Sequence, residues 1–389
     1  MGKRNILTIL LVLCLLATSG VAFAQGPEGA KEWAEANGLN KTETIEELYE
    51  KAKAEGEVNL YGCTGRLETV SESFMAEYPG IKVNFYDLGI NEMLEKFSRE
   101  YEAGIRTADI LQLKEQTGSL YNEYIQPGFL HNYQPEDIFN TVDPTFLKVT
   151  PFVIELDWWS YNTEALDDLP ISSWWDITKP EWSGRFIFLD PSGEPDLPVL
   201  FTAMVQYADV MAEDYERVFG TPIQLEADEE NAGYAWIKRV ARNGVILETS
   251  NNNIVKDVGG ASGMTDPPIG YGVSSKLRER DLQGFHLGVN PQKFQTPTTA
   301  ISFMIAQVAN EAPHPNAAKL LIRYLCGEAN HLGAGLEPFR TAGSYPVFTD
   351  LPDFEGHPAF DDIPKFELDL DYYYENYLDV YDYWISVQP

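Results

Sequence analysis

Two turns in this chain combine hydroxyls, glycines and open backbone in a way that suits an anion. Cys63-Thr64-Gly65-Arg66 follows the short strand Val58-Asn59-Leu60-Tyr61 and leads into a helix over 68–78. Its hydroxyl, free amides and guanidinium fit a carboxylate or phosphate, which Arg66 can hold through two hydrogen bonds. The competing reading pairs Arg66 with a neighbouring acid. Asp190-Pro191-Ser192-Gly193 precedes a helix that starts at Asp196 or Leu197. Amides at Ser192 and Gly193 can bind an anion there, or Ser192 or Asp196 simply caps the helix. A third group, Ser250 to Asn253, closes the strand 245–248 and contains Asn251 and Asn252. Its amides donate and accept without bringing charge, which suits sugars, amino acids or phosphate oxygens. Asparagine runs also form ordinary turns.

The elements around these turns alternate. A helix over 42–55 carries Ile45, Leu48, Tyr49 and Ala52 at helical spacing and stops at Gly56. After the strand at 58–61 come a strand over 81–86, a helix over 92–103 entered through Gly89-Ile90-Asn91, and a strand over 108–113. This order predicts a parallel sheet covered on both faces. Ligands of such sheets lie beyond the carboxyl ends of the strands, which puts 63–66, Asn91 and 114–118 on one rim. Further strands are expected over 152–156, 158–162, 185–189, 269–274 and 299–308, with helices over 229–242 and 315–326. In the tail, Tyr373, Tyr377, Tyr381 and Trp384 repeat at helical spacing, so one face packs and the acids face water. Those acids lack the glycine of a calcium loop.

Composition narrows the function. Lys3 and Arg4, the apolar run from Ile6 to Leu16 and the small residues before Gln25 have the layout of a cleaved signal peptide over 1–24. The mature chain is then periplasmic or extracellular, with no membrane insertion after cleavage. With 28 Lys and Arg against 60 Asp and Glu, the net charge of −32 makes nucleic acid and anionic lipid poor partners. Cys63 and Cys326 allow one disulfide at most, and no His or Cys spacing marks a structural zinc site. The five histidines are scattered and no nucleophile elbow occurs. A glycan hydrolase with paired carboxylates is the enzymatic alternative, but no motif singles out such a pair. The expectation is a non-enzymatic protein without a cofactor or metal.

Several separated phrases resemble a known family: IEELYEKAKAEGEVNLYGCTG, SYNTEAL, SSWWDITKPEWSGRFIFLDPSG and APHPNAAKLLIRYLCGEA. They are similar to exported solute-binding proteins of ABC importers, above all the ferric-iron, thiamine, polyamine and phosphonate or sugar-phosphate binders. The resemblance implies a two-lobed α/β periplasmic-binding-protein fold of type 2 with two crossovers between lobes. Residues 25–56 are then a leader and helix, 57–150 the first part of lobe one, and 151–295 lobe two. Residues 296–389 complete lobe one and add a helical tail. A monomer would capture a small ligand in the cleft and deliver it to a permease and its ATPase. The favoured ligand is an organic anion such as a phosphonate or sugar phosphate. At the first crossover, Trp159 can offer an aromatic floor or simply fill the inter-lobe core. Ferric-iron binders hold their metal through adjacent tyrosines, whereas the matching segment Ile269-Gly270-Tyr271-Gly272 has one. That departure counts against iron, the alternative ligand, and leaves Tyr271 to bond an organic one.

Overall fold

The computed structural model describes residues 26–192 and 195–389, so the export segment and Gly193 lie outside the described residues. Among the described residues twelve strands form two sheets. The first takes β1 (Glu57–Gly62), β2 (Lys82–Asp87), β3 (Ile110–Glu115), β4 (Leu130–His131) and β5 (Pro151–Glu155). The second takes β6 (Asp157–Asn162), β7 (Phe186–Leu189), β8 (Ile246–Glu248), β9 (Ile269–Val273) and β10 (Leu287–Val289). The chain then returns to the first sheet for β11 (Ser302–Ala309) and β12 (Ser344–Pro346). The strand orders are β12-β5-β11-β3-β1-β2, with β4 beside β11, and β10-β6-β9-β7-β8. Two apolar clusters make up the core: one fills the first sheet's lobe and continues through Trp158, Ile187, Leu189 and Ile254 of the second, and the other packs Trp159, Phe186, Phe188 and Tyr271 against the helices of lobe two. Two sheets joined by the chain's crossings make a two-lobed α/β fold.

The sheets are mixed rather than parallel. β1 runs parallel to β2 and β3, and β7 parallel to β8 and β9. β11 is antiparallel to both β3 and β5, and β6 antiparallel to β9 and β10. The cause is the excursion through the other lobe: a strand that re-enters from outside need not keep the direction set by a helical crossover.

The first crossing is abrupt, with Leu156 alone between β5 and β6. Its amide donates to Ser274 Oγ at 2.9 Å and its carbonyl accepts from the Ser274 amide at 2.7 Å. The Asp157 amide donates to Thr299 Oγ1 at 2.9 Å, which ties the returning segment to the outgoing one. Ser274 Oγ also donates to the Gly343 carbonyl. A Cβ at Gly343 would stand 1.9 Å from the Ser274 carbonyl oxygen, and its φ of 85° is left-handed, so only glycine fits this junction.

The tail makes a third passage between the lobes. After β12 the chain goes back to lobe two, where the helix Leu370–Val387 packs Tyr373, Val380 and Trp384 into the second core. The tail therefore belongs by packing to lobe two, because its aromatic face finds the apolar helices Asp196–Gln206 and Ala232–Arg242. Trp384 is fully buried, 4.9 Å from the Phe201 ring between centroids. Trp384→Ala is expected to cost about 3–5 kcal/mol, read as a lowered denaturation midpoint. An unchanged midpoint would show that the helix is peripheral.

Candidate functional site

The carboxyl ends of β1, β2, β3 and β5 face those of β8 and β9 across a cavity of about 220 Å³. Lobe one lines it with Thr64, Arg66, Ile90, Lys114 and Glu155, and lobe two with Thr249 to Asn252, Ser275, Lys276 and Arg278. Near the cleft the Gln116 side-chain amide donates to Asp196 Oδ1 at 2.7 Å, a bond from one lobe to the other.

Arg66 opens the helix Arg66–Glu77, whose N-cap Gly65 supplies no side-chain cap. Its Nη2 donates to Glu155 Oε1 at 2.8 Å and its guanidinium stands 4.5 Å over the Phe339 ring. Thr64 Oγ1 accepts from the Arg66 amide at 3.4 Å and from Nε at 3.3 Å. Arg66 Nη1 is buried with no hydrogen-bond partner among the described residues. Both sequence readings of this arginine thus meet in one place: it pairs with an acid, and it lines the cleft.

Glu155 is only 2% exposed. Burial pushes its carboxyl up, but Arg66 and Lys114 (3.8 Å away) outweigh that and hold it down at about 2. It is ionised throughout the physiological range. Opposite it, burial and the neighbouring Arg278 pull the Lys276 ammonium down to about 8. Lys276 makes no ion pair among the described residues. Arg278 Nη1 donates to the Ser275 carbonyl at 2.6 Å, and its Nε lies 3.5 Å from Glu279. Four cations against Glu155 and Glu279 leave a surplus of positive charge, in a chain whose net charge is −32.

The asparagine cluster is not a loop at a strand end. It opens the helix Asn251–Gly259, with Ser250 Oγ accepting from the Asn253 amide. Asn251 Oδ1 accepts from the Val273 amide at 2.9 Å, which braces the helix against β9. A Cβ at Gly272 would come within 2.5 Å of that oxygen, so the glycine beside Tyr271 makes room for the brace. Two helix N-termini therefore point at the cavity, and their amides favour negative charge.

Of the other expected site residues, Asn91 is exposed one position beyond the lining residue Ile90. Ser192 is exposed outside the cavity, its amide donating to Asp190 Oδ1 at 2.9 Å. Trp159 and Tyr271 need correction. Trp159 packs on Tyr271, Phe188 and Trp174 in the second core, and the Tyr271 hydroxyl donates to the Thr298 carbonyl at 3.0 Å. β6 is an inner strand with both faces buried, so alternation gives it two interiors and no face toward the cleft. Sequence reasoning missed Glu155, Ser275, Lys276 and Arg278, although the polar run after β9 repeats the strand-to-loop signal seen after β1. Cys63 and Cys326 are both free thiols. No group of three or more His, Cys, Asp or Glu fit to hold a metal occurs among the described residues, and no helix there is long and apolar enough to cross a membrane.

The family model for bacterial extracellular solute-binding proteins matches residues 69–367. No curated protein matches the chain in sequence. Among solved structures it is similar to iron-bound HitA from Pseudomonas aeruginosa, at 16% identity and a TM-score of 0.63, covering 85% of this chain and 99% of that one. AfuA from Actinobacillus pleuropneumoniae, with exogenous fructose-6-phosphate bound, aligns at 15% identity and a TM-score of 0.62 over 85% and 98%. The ferric binding protein from Campylobacter jejuni aligns at 14% identity and 0.61 over 85% and 99%. At these identities the likeness speaks for the fold.

Proposed function

This chain belongs to the bacterial extracellular solute-binding protein family, and we propose that it captures a small organic anion, a phosphonate or sugar phosphate, in the inter-lobe cleft. The observation that carries this reading is the set of four cations, Arg66, Lys114, Lys276 and Arg278, around the ionised Glu155. Burying like charges together is costly unless something neutralises them, and a dianion does so while also meeting the helix N-termini. Hinge closure at Leu156 and Thr299 brings the two halves of the cluster together on the ligand. Exported after cleavage at residues 24–25, the monomer hands its ligand to the permease and ATPase of an ABC importer.

Ferric iron fits this cleft poorly. The cluster repels a bare cation, and the tyrosine nearest to the expected position is committed to the second core. The hydrolase alternative lacks a suitable pair, since Glu155 is held fully ionised between cations and so makes a poor general acid.

A thermal-shift panel on mature protein, unfolded and refolded to strip carried solute, tests the reading. A hexose phosphate or alkylphosphonate at a hundredfold excess over its Kd is expected to stabilise by about 2.7 kcal/mol. Stabilisation by ferric salts alone, or by an uncharged hexose to the same degree, contradicts it.

A further inference from the structure

The C-terminal helix Leu370–Val387 buries one face and leaves the adjoining one uncovered. Tyr374, Leu378 and Ile385 are 39%, 67% and 52% exposed, with Tyr381 half-buried between them. Their steps of four, three and four residues align them in one stripe. Nine large apolar side chains are exposed among the described residues, and three of them fall on this stripe, so the exposure is concentrated. Asp371, Glu375, Asp379 and Asp382 run along its flank, and the helix contains no Lys or Arg. Lys148 pairs with Asp371 at 2.9 Å, while the other three acids make no ion pair among the described residues. Glu123 lines the same surface hollow as Tyr374, so lobe one adds one more acid at the stripe's start.

An apolar stripe beside unpaired acids is complementary to an apolar ridge bordered by cations. A second copy of this chain would set acid against acid, and an anionic membrane would be repelled. We infer that this face docks a protein partner that presents an apolar ridge bordered by lysines and arginines. The helix rests on lobe two and meets lobe one at Lys148 and beside Glu123, so a partner seated here contacts an element held by both lobes. The inference does not depend on which solute the cleft binds.

The test uses the full mature chain and a synthetic amphipathic helical peptide of leucines and lysines, with a leucine–glutamate peptide as control. Anisotropy should show saturable binding of the lysine peptide only. Leu378→Glu with Ile385→Glu should weaken it roughly tenfold or more, because hot-spot apolar contacts are lost. Mere attraction of a cationic peptide to an acidic protein predicts the reverse, since the double variant is more negative. Leu378→Ala with Ile385→Ala adds no charge and should weaken binding in the same direction. Unchanged or tighter binding in both double variants overturns the proposal. So does a dimer in sedimentation that either double variant disperses, which would make a second copy the occupant.

Discussion

Arg66→Ala is expected to lose roughly a hundredfold or more in anion affinity and about 3 kcal/mol of stability at neutral pH. Both losses have one origin. The substitution removes a buried guanidinium nitrogen at the cavity, Nη1, that has no partner among the described residues, and it strips Glu155 of its 2.8 Å ion pair. Lys114 at 3.8 Å is then left to support a buried carboxylate. The pH dependence follows from the depressed carboxyl. Glu155 titrates at about 2 in the folded chain against an ordinary 4.5. The folded state therefore binds fewer protons between those values, and the stabilisation is fully present above about 4.5 and lost as pH falls through about 2. Denaturation midpoints of wild type and Arg66→Ala should lie well apart at neutral pH and converge in acid. Arg66→Lys should recover part of the stability and little of the affinity, because an ammonium lacks the planar fork. Anion binding by Arg66→Ala within about twofold of wild type would make Arg66 a structural residue only.

Lys276→Met is expected to act with opposite signs on the empty and the loaded protein. The folded ammonium titrates at about 8 against an ordinary 10.5, because burial and Arg278 disfavour its charge. Between those values the unfolded chain binds more protons, so the empty protein gains stability as pH rises through that window. Carrying the charged lysine at neutral pH costs the empty protein about 1–2 kcal/mol, after allowing for solvent in the open cleft. Lys276→Met removes that cost and should raise the neutral-pH midpoint. It should also weaken anion binding by about tenfold or more, and abolish the fall in affinity that wild type shows above about pH 8. A variant destabilised at neutral pH, or one that keeps that alkaline fall, contradicts this.

Such a trade of stability for binding explains why the cleft was harder to read than the fold. The first lobe is written locally: Thr44 and Gly56 bound a helix, the strand at 57–62 ends in a glycine, and Thr64 and Arg66 stand where such a strand must end. Local pattern was enough to put Thr64, Arg66, Asn251 and Asn252 just beyond strand ends that the structure brings to one cavity. It could not assign sides within a strand buried on both faces, which is why Trp159 and Tyr271 read as cleft residues. Nor could it foresee that Lys276 and Arg278 meet Arg66, more than two hundred positions earlier. That meeting depends on two lobes closing on each other, and no spacing within either lobe encodes it. The direction of β11 and the docking of the tail on lobe two are long-range in the same sense.

The most direct measurement is proton uptake on binding. Stripped wild-type protein would be titrated calorimetrically with a hexose phosphate or alkylphosphonate near pH 8, in two buffers of different ionisation enthalpy. Lys276 is about half protonated there, and a dianion bound against it should complete the charge. The account predicts uptake of about half a proton per ligand in wild type and almost none in Lys276→Met. Saturable binding with no uptake, or equal uptake in both proteins, would place the ligand away from the cationic cluster and contradict the account.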